Sequence, residues 1–488
     1  MSEQPFDVIV KGAQIVTAGA SEPVEGDLGL TDGRFTQVGG TIEAGDAEVI
    51  EAGGLIAMPG AVDAHQHWGI YNPLEEDTVS ESRACAQGGV TTGITYIRTG
   101  RYYLNRGGPY MDFMPEVLER SNGRSHVDYA FHVAPMQKSH IDELERLVDD
   151  FGVSSFKIFM FYGGHGLHGK SDDQSEFLMT PPGERYDVAH FEFVMRGLAD
   201  LCRRRPDIAD GISLSLHCET AEIMRAYTEI VENDDSLEGL AAYSASRPPH
   251  SEGLAVSVAG YLAHVTGIPR INLLHLSSAR AVEAAEKARV SYPTVDIGAE
   301  VTVGHLLTDI DTAAGIGGKV NPPIRPREDV EALWAALGNG TLDWIVSDHA
   351  CCRAEAKFGD PADDVFLAKS GFGGTEYLIP GLVTEANRRG VPLGVIAQMT
   401  ALNPARRYGL HRKGDIAVGL DADFSLVDPT AEWVVRAEDS ESTQEYTPFE
   451  GFQMTAAVRR TVLRGRTILD ESGPVGGPSG EYVIRPQT

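Results

Sequence analysis

Six residues of metal-ligand type stand at or near the ends of apolar runs along this chain: His65, His67, Lys157, His217, His275 and Asp348. The first two close the run LIAMPGAVDAHQHW as a His-x-His pair. Two residues apart on an extended strand, their side chains share one face, so both imidazoles reach a single ion. A lone histidine at a strand end is ordinarily a hydrogen-bonded core or surface residue. A pair at a buried edge, with further candidates on separate hydrophobic runs, indicates a metal site rather than isolated polar residues.

Lys157 is the unusual member, because it lies inside VSSFKIFMFY, where an ammonium would be stripped of water. Burial drives a lysine toward its neutral amine. A neutral amine adds carbon dioxide to give a carbamate, whose two oxygens can bridge two metal ions about 3.5–4 Å apart. His65, His67 and Asp348 would then hold one ion, His217 and His275 the other, and modified Lys157 would join them. Nitrogen and oxygen donors without cysteine suit zinc, with manganese or iron as alternatives. A hydroxide bridging two such ions forms near neutral pH and attacks as nucleophile. Asp348 would take the water's proton and pass it to a leaving nitrogen.

The elements that must position these residues are legible as rhythm. From residue 55 apolar strand-like runs alternate with helical stretches, and eight runs can be counted: 55–67, 90–98, 127–134, 153–160, 212–218, 270–276, 295–301 and 342–348. Helical periodicity fits 141–151, 188–204 and 279–290. Eight such units predict an α/β fold, a (β/α)8 TIM-like barrel whose active site forms at the carboxyl-terminal ends of the strands. Before residue 55, short runs at 6–10, 13–17, 26–31, 34–39 and 47–51 suggest a small antiparallel sheet. Short strands return after about residue 401, at 413–427, 434–437 and 461–469. The expected organisation is therefore a small β-sandwich domain formed by both chain ends (1–56 and 401–470), a barrel over 57–400, and a tail over 471–488 whose glycine- and proline-rich part, 473–480, would be loosely held.

Composition narrows the function further. Acidic residues outnumber basic ones 71 to 41, giving a formal charge of -30, which disfavours nucleic acid and anionic lipid as partners. No basic, apolar leader and no apolar run of about 20 residues is visible, so a cytoplasmic location is expected. The five cysteines form no CxxC pair and read as small buried hydrophobes. Cys218 and Cys351, beside proposed ligands, are candidates for oxidation. The glycine-rich stretch 163–169 lacks the ending of a phosphate-binding loop.

The motifs DAHQH, SSFKIFMFYGG, SLHCE, LLHLSS and SDH, with the closing GDIAVGLDADFSLVD, resemble the amidohydrolase superfamily from about residue 6 to 469. Within it the chain looks most like the cyclic-amidohydrolase branch of dihydropyrimidinases, hydantoinases, allantoinases and dihydroorotases. The resemblance implies a carbamylated Lys157, two divalent ions and hydrolysis of a cyclic amide or imide C–N bond, with hydantoinase or dihydropyrimidinase chemistry ahead of allantoinase or dihydroorotase chemistry. It also implies that Tyr162 polarises the substrate carbonyl, that Asn321 in KVNPPIRP contacts the ring through its amide or backbone, and that the protein is a homo-oligomer, a tetramer in many relatives. An arginine two residues past His-x-His, which grips a carboxylate in dihydroorotases, is replaced by Gly69 after Trp68. A mononuclear deaminase would have no use for Lys157, and a non-catalytic scaffold would have lost ligands that this chain retains. Residues 68–77 and 98–113 are candidate lids, Arg98 or Arg101 candidate contacts for an anionic substituent, and His165 and His168 candidate pocket residues.

Overall fold

The computed structural model describes residues 6–163, 166–167 and 177–486. Eight strands lie side by side in chain order: Ala61–Gln66, Val90–Ile97, Asp128–Val133, Ser155–Phe159, Ser213–His217, Arg270–Leu273, Asp296–Thr302 and Trp344–Val346. Every neighbouring pair is parallel, and helices pack outside, so the strands are buried on both faces, as their near-continuous apolar sequences require. The first and eighth strands meet at a bridge between Gln66 and His349, where the His67 N–H donates to the His349 carbonyl at 2.8 Å. Asp63 fastens this seam. Its carboxylate accepts from the Ser347 N–H at 2.9 Å and from Ser347 Oγ at 2.5 Å.

The helix expected at 188–204 is Val188–Arg204, started by Asp187, whose carboxylate accepts from the N–H groups of Ala189 and His190. That expected at 279–290 is Ala279–Ser291, capped by Ser278. Residues 141–151 divide into a 3-10 turn, Lys138–Ile141, and a helix, Leu144–Phe151.

Three expectations are corrected. The run 55–67 is two strands in two sheets, broken at Gly60. Ile56–Pro59 pairs with Phe424–Asp428 and with Val8–Ile15 in the terminal sheet, and only Ala61–Gln66 enters the barrel. A side chain at Gly60 would stand 2.2 Å from Thr91 Oγ1, so the crossing is open to glycine alone. Second, the runs 6–10 and 13–17 are one strand, Val8–Ile15, whose register slips between Val10 and Ala13, and run 461–469 is a hairpin of Ala457–Leu463 and Arg466–Asp470. The terminal sheet has nine strands drawn from both chain ends. It is mixed rather than antiparallel, because Glu48–Glu51 and Ile56–Pro59 run parallel to Val8–Ile15.

Third, the stretch 473–480 and the residues from there to 486 are not loosely held. Gly473–Pro474 adds the last strand of the terminal sheet, the Gly480 N–H donates to the Ser125 carbonyl at 2.9 Å, and Tyr482 bridges Tyr129. Arg485 is buried against the amino-terminal end of the barrel, donating to Ser155 Oγ at 2.9 Å and to the Phe131 carbonyl at 2.5 Å. Among the described residues no helix is long and apolar enough to cross a membrane.

Candidate active site

The six candidate ligands gather at the carboxyl-terminal end of the barrel. His65 and Lys157 lie within the first and fourth strands, His217 ends the fifth, and His67 follows the first. His275 and Asp348 stand two residues beyond the sixth and eighth strands. Both have left-handed backbones, φ 35° and 55°, a conformation that costs a non-glycine residue about 1–3 kcal/mol.

His65 Nε2 lies 3.0 Å from Lys157 Nζ and 3.1 Å from Asp348 Oδ1, and His67 Nε2 lies 3.2 Å from the same oxygen. The other nitrogen of each ring is engaged behind the site: His65 Nδ1 with Glu300 Oε1 at 2.7 Å, His67 Nδ1 with Tyr103 OH at 2.8 Å. His217 is turned the opposite way, with Nε2 held 2.7 Å from Glu219 Oε2. The ring of His275 packs edge-on to His217, centroids 4.3 Å apart. Both of its nitrogens are buried without a hydrogen-bond partner. His65, His275 and Asp348 each bring a donor atom within 4.8 Å of the others. A buried imidazole with two idle nitrogens beside converging nitrogen and oxygen donors fits a divalent cation.

The electrostatics agree with that fit. Burial holds His65, His217 and His275 well below the usual imidazole range and brings His67 down to about 4, so the rings are neutral and their lone pairs free. Burial lowers the Lys157 amine to about 7. Its Nζ sits 4.1 Å from the centre of the Tyr96 ring and 4.5 Å from that of Phe159. Burial acts to raise Asp348, but its hydrogen bond with His67 and the nearby His67, His275 and Lys157 bring it below the ordinary carboxylate value.

A cavity open to solvent adjoins this cluster. Its walls include Tyr162 and Asn321, the two residues expected at substrate, with Ile70, Tyr71 and Tyr103 from the two expected lids and Val320, Ser370 and Gly371 opposite. The Asn321 side chain is largely committed. Its Oδ1 accepts from Tyr243 OH at 2.5 Å and Ser370 Oγ at 3.3 Å, and its Nδ2 donates to the Leu167 carbonyl at 2.8 Å, leaving chiefly its backbone for a ring. Arg98 does not line the cavity. It lies buried behind it, its guanidinium carbon 5.3 Å from the centre of the Tyr162 ring and 4.7 Å from that of Phe177. Arg101 is exposed and Trp68 turns into the core against Tyr129. Neither lines the cavity. His165 and His168 lie outside the described residues. Burial raises the Cys218 and Cys351 thiols, which does not favour the reactive thiolate.

Sequence reasoning missed Glu300, Glu219 and Ser370, and placed Tyr103 in a lid without its contact to His67. Glu300 carried the signal that exposed Lys157, an ionisable residue within an apolar strand (VDIGAEV), and Glu219 follows His217 by two positions. Tyr103 and Ser370 sit in loops with no periodicity to mark them.

The amidohydrolase family profile matches residues 251–468. An allantoinase of Rubrobacter xylanophilus is 32% identical over 490 residues, spanning 99% of this chain and 98% of that protein. An allantoinase of Escherichia coli is 30% identical over 500 residues, covering 99% of each. Among solved structures, a D-hydantoinase superposes with a TM-score of 0.83 at 26% identity over 98% of both chains. The L-hydantoinase (dihydropyrimidinase) of Arthrobacter aurescens does so with a TM-score of 0.82 at 27% identity, over 98% of this chain and 100% of that one.

Proposed function

Because the chain belongs to the amidohydrolase family, among the hydrolases of cyclic amides, we propose that it opens a neutral hydantoin-type ring, with the ureido-substituted hydantoin, allantoin, as the preferred substrate. Relatives in sequence are allantoinases and relatives in structure are hydantoinases, and that ring is the chemistry the two have in common. His65, His67 and Asp348 would hold one divalent ion, His217 and His275 a second, zinc in each, with Lys157 joining them as a carbamate. Bound there, the ions supply Lewis acidity toward a ring carbonyl and a water acidic enough to ionise near neutral pH.

The chain's own groups do the rest. Asp348, held ionised by its imidazole neighbours, accepts the proton of the attacking water and returns it to the ring nitrogen as the C–N bond breaks. Tyr162, kept as a phenol because burial raises it, donates to the carbonyl oxygen as negative charge develops there. Phe159, Phe161, Ile70 and Val320 line the cavity with apolar surface, which strengthens both interactions. Apart from Lys157, no lysine or arginine is among the described residues lining the cavity. Among those described residues a ring carboxylate meets no cationic side chain other than Lys157, which supports a neutral ring over dihydroorotate.

His275 carries this reading, since its two unpartnered nitrogens beside the Lys157 and Asp348 cluster have no use in a metal-free core. The test is to supply purified protein with zinc and bicarbonate and assay allantoin, hydantoin, dihydrouracil and dihydroorotate. Ring opening of the first two, with none of dihydroorotate, is expected. Turnover of dihydroorotate alone, or of no cyclic amide, would overturn the proposal.

A further inference from the structure

Behind the fifth and sixth strands lie four charged side chains, Glu219, Arg247, Glu252 and Arg325, each at most 2% exposed. Glu219 Oε2 receives both His217 Nε2 at 2.7 Å and Arg247 Nη1 at 2.5 Å. Arg325 binds Glu252 at 2.9 Å and donates to the Arg247 carbonyl at 2.5 Å. Glu252 in turn accepts from the N–H and hydroxyl of Ser277, two residues past His275, at 3.1 and 2.5 Å. One network with no net charge thus ties the end of the fifth strand to the loop that follows His275.

Buried ion pairs seldom add net stability over apolar packing of the same volume. This network is not optimised for hydrogen bonding either, since Glu219 Oε1 and Arg247 Nη2 are buried without partners. What the arrangement does achieve is orientation. With Nε2 committed to Glu219, only Nδ1 of His217 is left to face the cavity that the ring lines, whereas the carboxylate behind His65 takes Nδ1 and leaves Nε2.

We propose that Glu219 and Arg247 are positioning residues for the metal half-site of His217 and His275: Arg247 fixes the carboxylate, and the carboxylate fixes the tautomer and ring plane of His217. The inference rests on the ligand assignment proposed above. Such a partner of a ligating histidine typically accounts for 10–100-fold in metal affinity.

The experiment measures zinc per chain under graded chelator competition for the wild type, His217→Ala, Glu219→Gln and the double variant Glu219→Gln/Arg247→Gln. The double variant replaces both charges by amides, so no lone buried charge is left to compromise folding. Glu219→Gln and the double variant should each hold one of the two ions about 10–100-fold more weakly, with the other ion unchanged and, in the double variant, the melting temperature of the metal-free protein unchanged as well. If His217→Ala retains both ions, the ligand assignment fails. If His217→Ala loses one ion while both Glu219 variants keep wild-type affinity for two, the positioning role fails and the assignment stands. Equal weakening of both ions, or a melting temperature of the double variant lowered enough to explain the loss, marks a merely structural role and overturns the proposal.

Discussion

At position 275 a single imidazole is buried with both nitrogens idle, an arrangement whose desolvation costs about 1–3 kcal/mol per unmet group unless something else satisfies them. His275→Ala should therefore lose one zinc per chain by mass spectrometry while leaving the thermal stability of chelated protein nearly unchanged, against the rule for truncating a buried side chain. Asp348→Asn would remove the proposed proton acceptor but keep the shape, so kcat should fall about 10²–10⁴-fold with little change in KM. For Lys157 the sign follows from burial. With the amine lowered to about 7, the neutral form that accepts carbon dioxide predominates above that pH and the inert ammonium below it. At fixed dissolved carbon dioxide and zinc, metal-free protein should regain activity about tenfold faster near pH 8 than near pH 6, and a flat profile would exclude carbamate formation as the limiting step.

At the scale of elements, one wall of the cavity is made by two loops joined by a backbone hydrogen bond from the Gly371 N–H to the Lys319 carbonyl and by the side-chain nitrogens of Lys319 and Lys357. Lys357 is fully buried and donates to the Gly371 carbonyl at 2.6 Å and the Lys319 carbonyl at 3.1 Å, next to Ser370 on one side and Val320 and Asn321 on the other. Lys357→Met should raise KM about tenfold and leave kcat within about twofold, because the loops contact the ring and not the reacting bond. Neither Lys357 nor Glu219 stood out in the sequence, and the reason is physical. Strands and helices announce themselves by periodicity, which is why the eight barrel runs and the helix Val188–Arg204 were legible, with Lys157 and His217 inside or ending them, whereas Glu300 lay inside one such run and was passed over. Lys357 acts across segments well separated in the chain, where no local pattern records the contact, and Glu219, though only two residues past His217, lies beyond the strand end in a loop without periodicity. Gly60 is a further case: LIAMPGAVDAHQHW reads as one apolar run, and only the close approach of Thr91 shows that it must be divided between two sheets.

For the whole molecule, the chain ends govern the barrel from outside it. Arg485→Ala would leave Ser155 Oγ and the Phe131 carbonyl without their donor at the buried floor, a cost of about 1–3 kcal/mol that should appear as a lower urea midpoint with kcat retained. The terminal sheet has another consequence. Ile56–Pro59 meets Val8–Ile15 along one edge, but its other edge is covered only by Phe424–Asp428, so a ribosome adding about 5–20 residues per second leaves that apolar edge waiting roughly 20–70 seconds while the barrel is made. During that interval the nascent chain offers an unpaired edge to any neighbour on the same messenger. Yield in the cell should depend on holding chaperones and on elongation speed more than the stability of the finished enzyme would suggest.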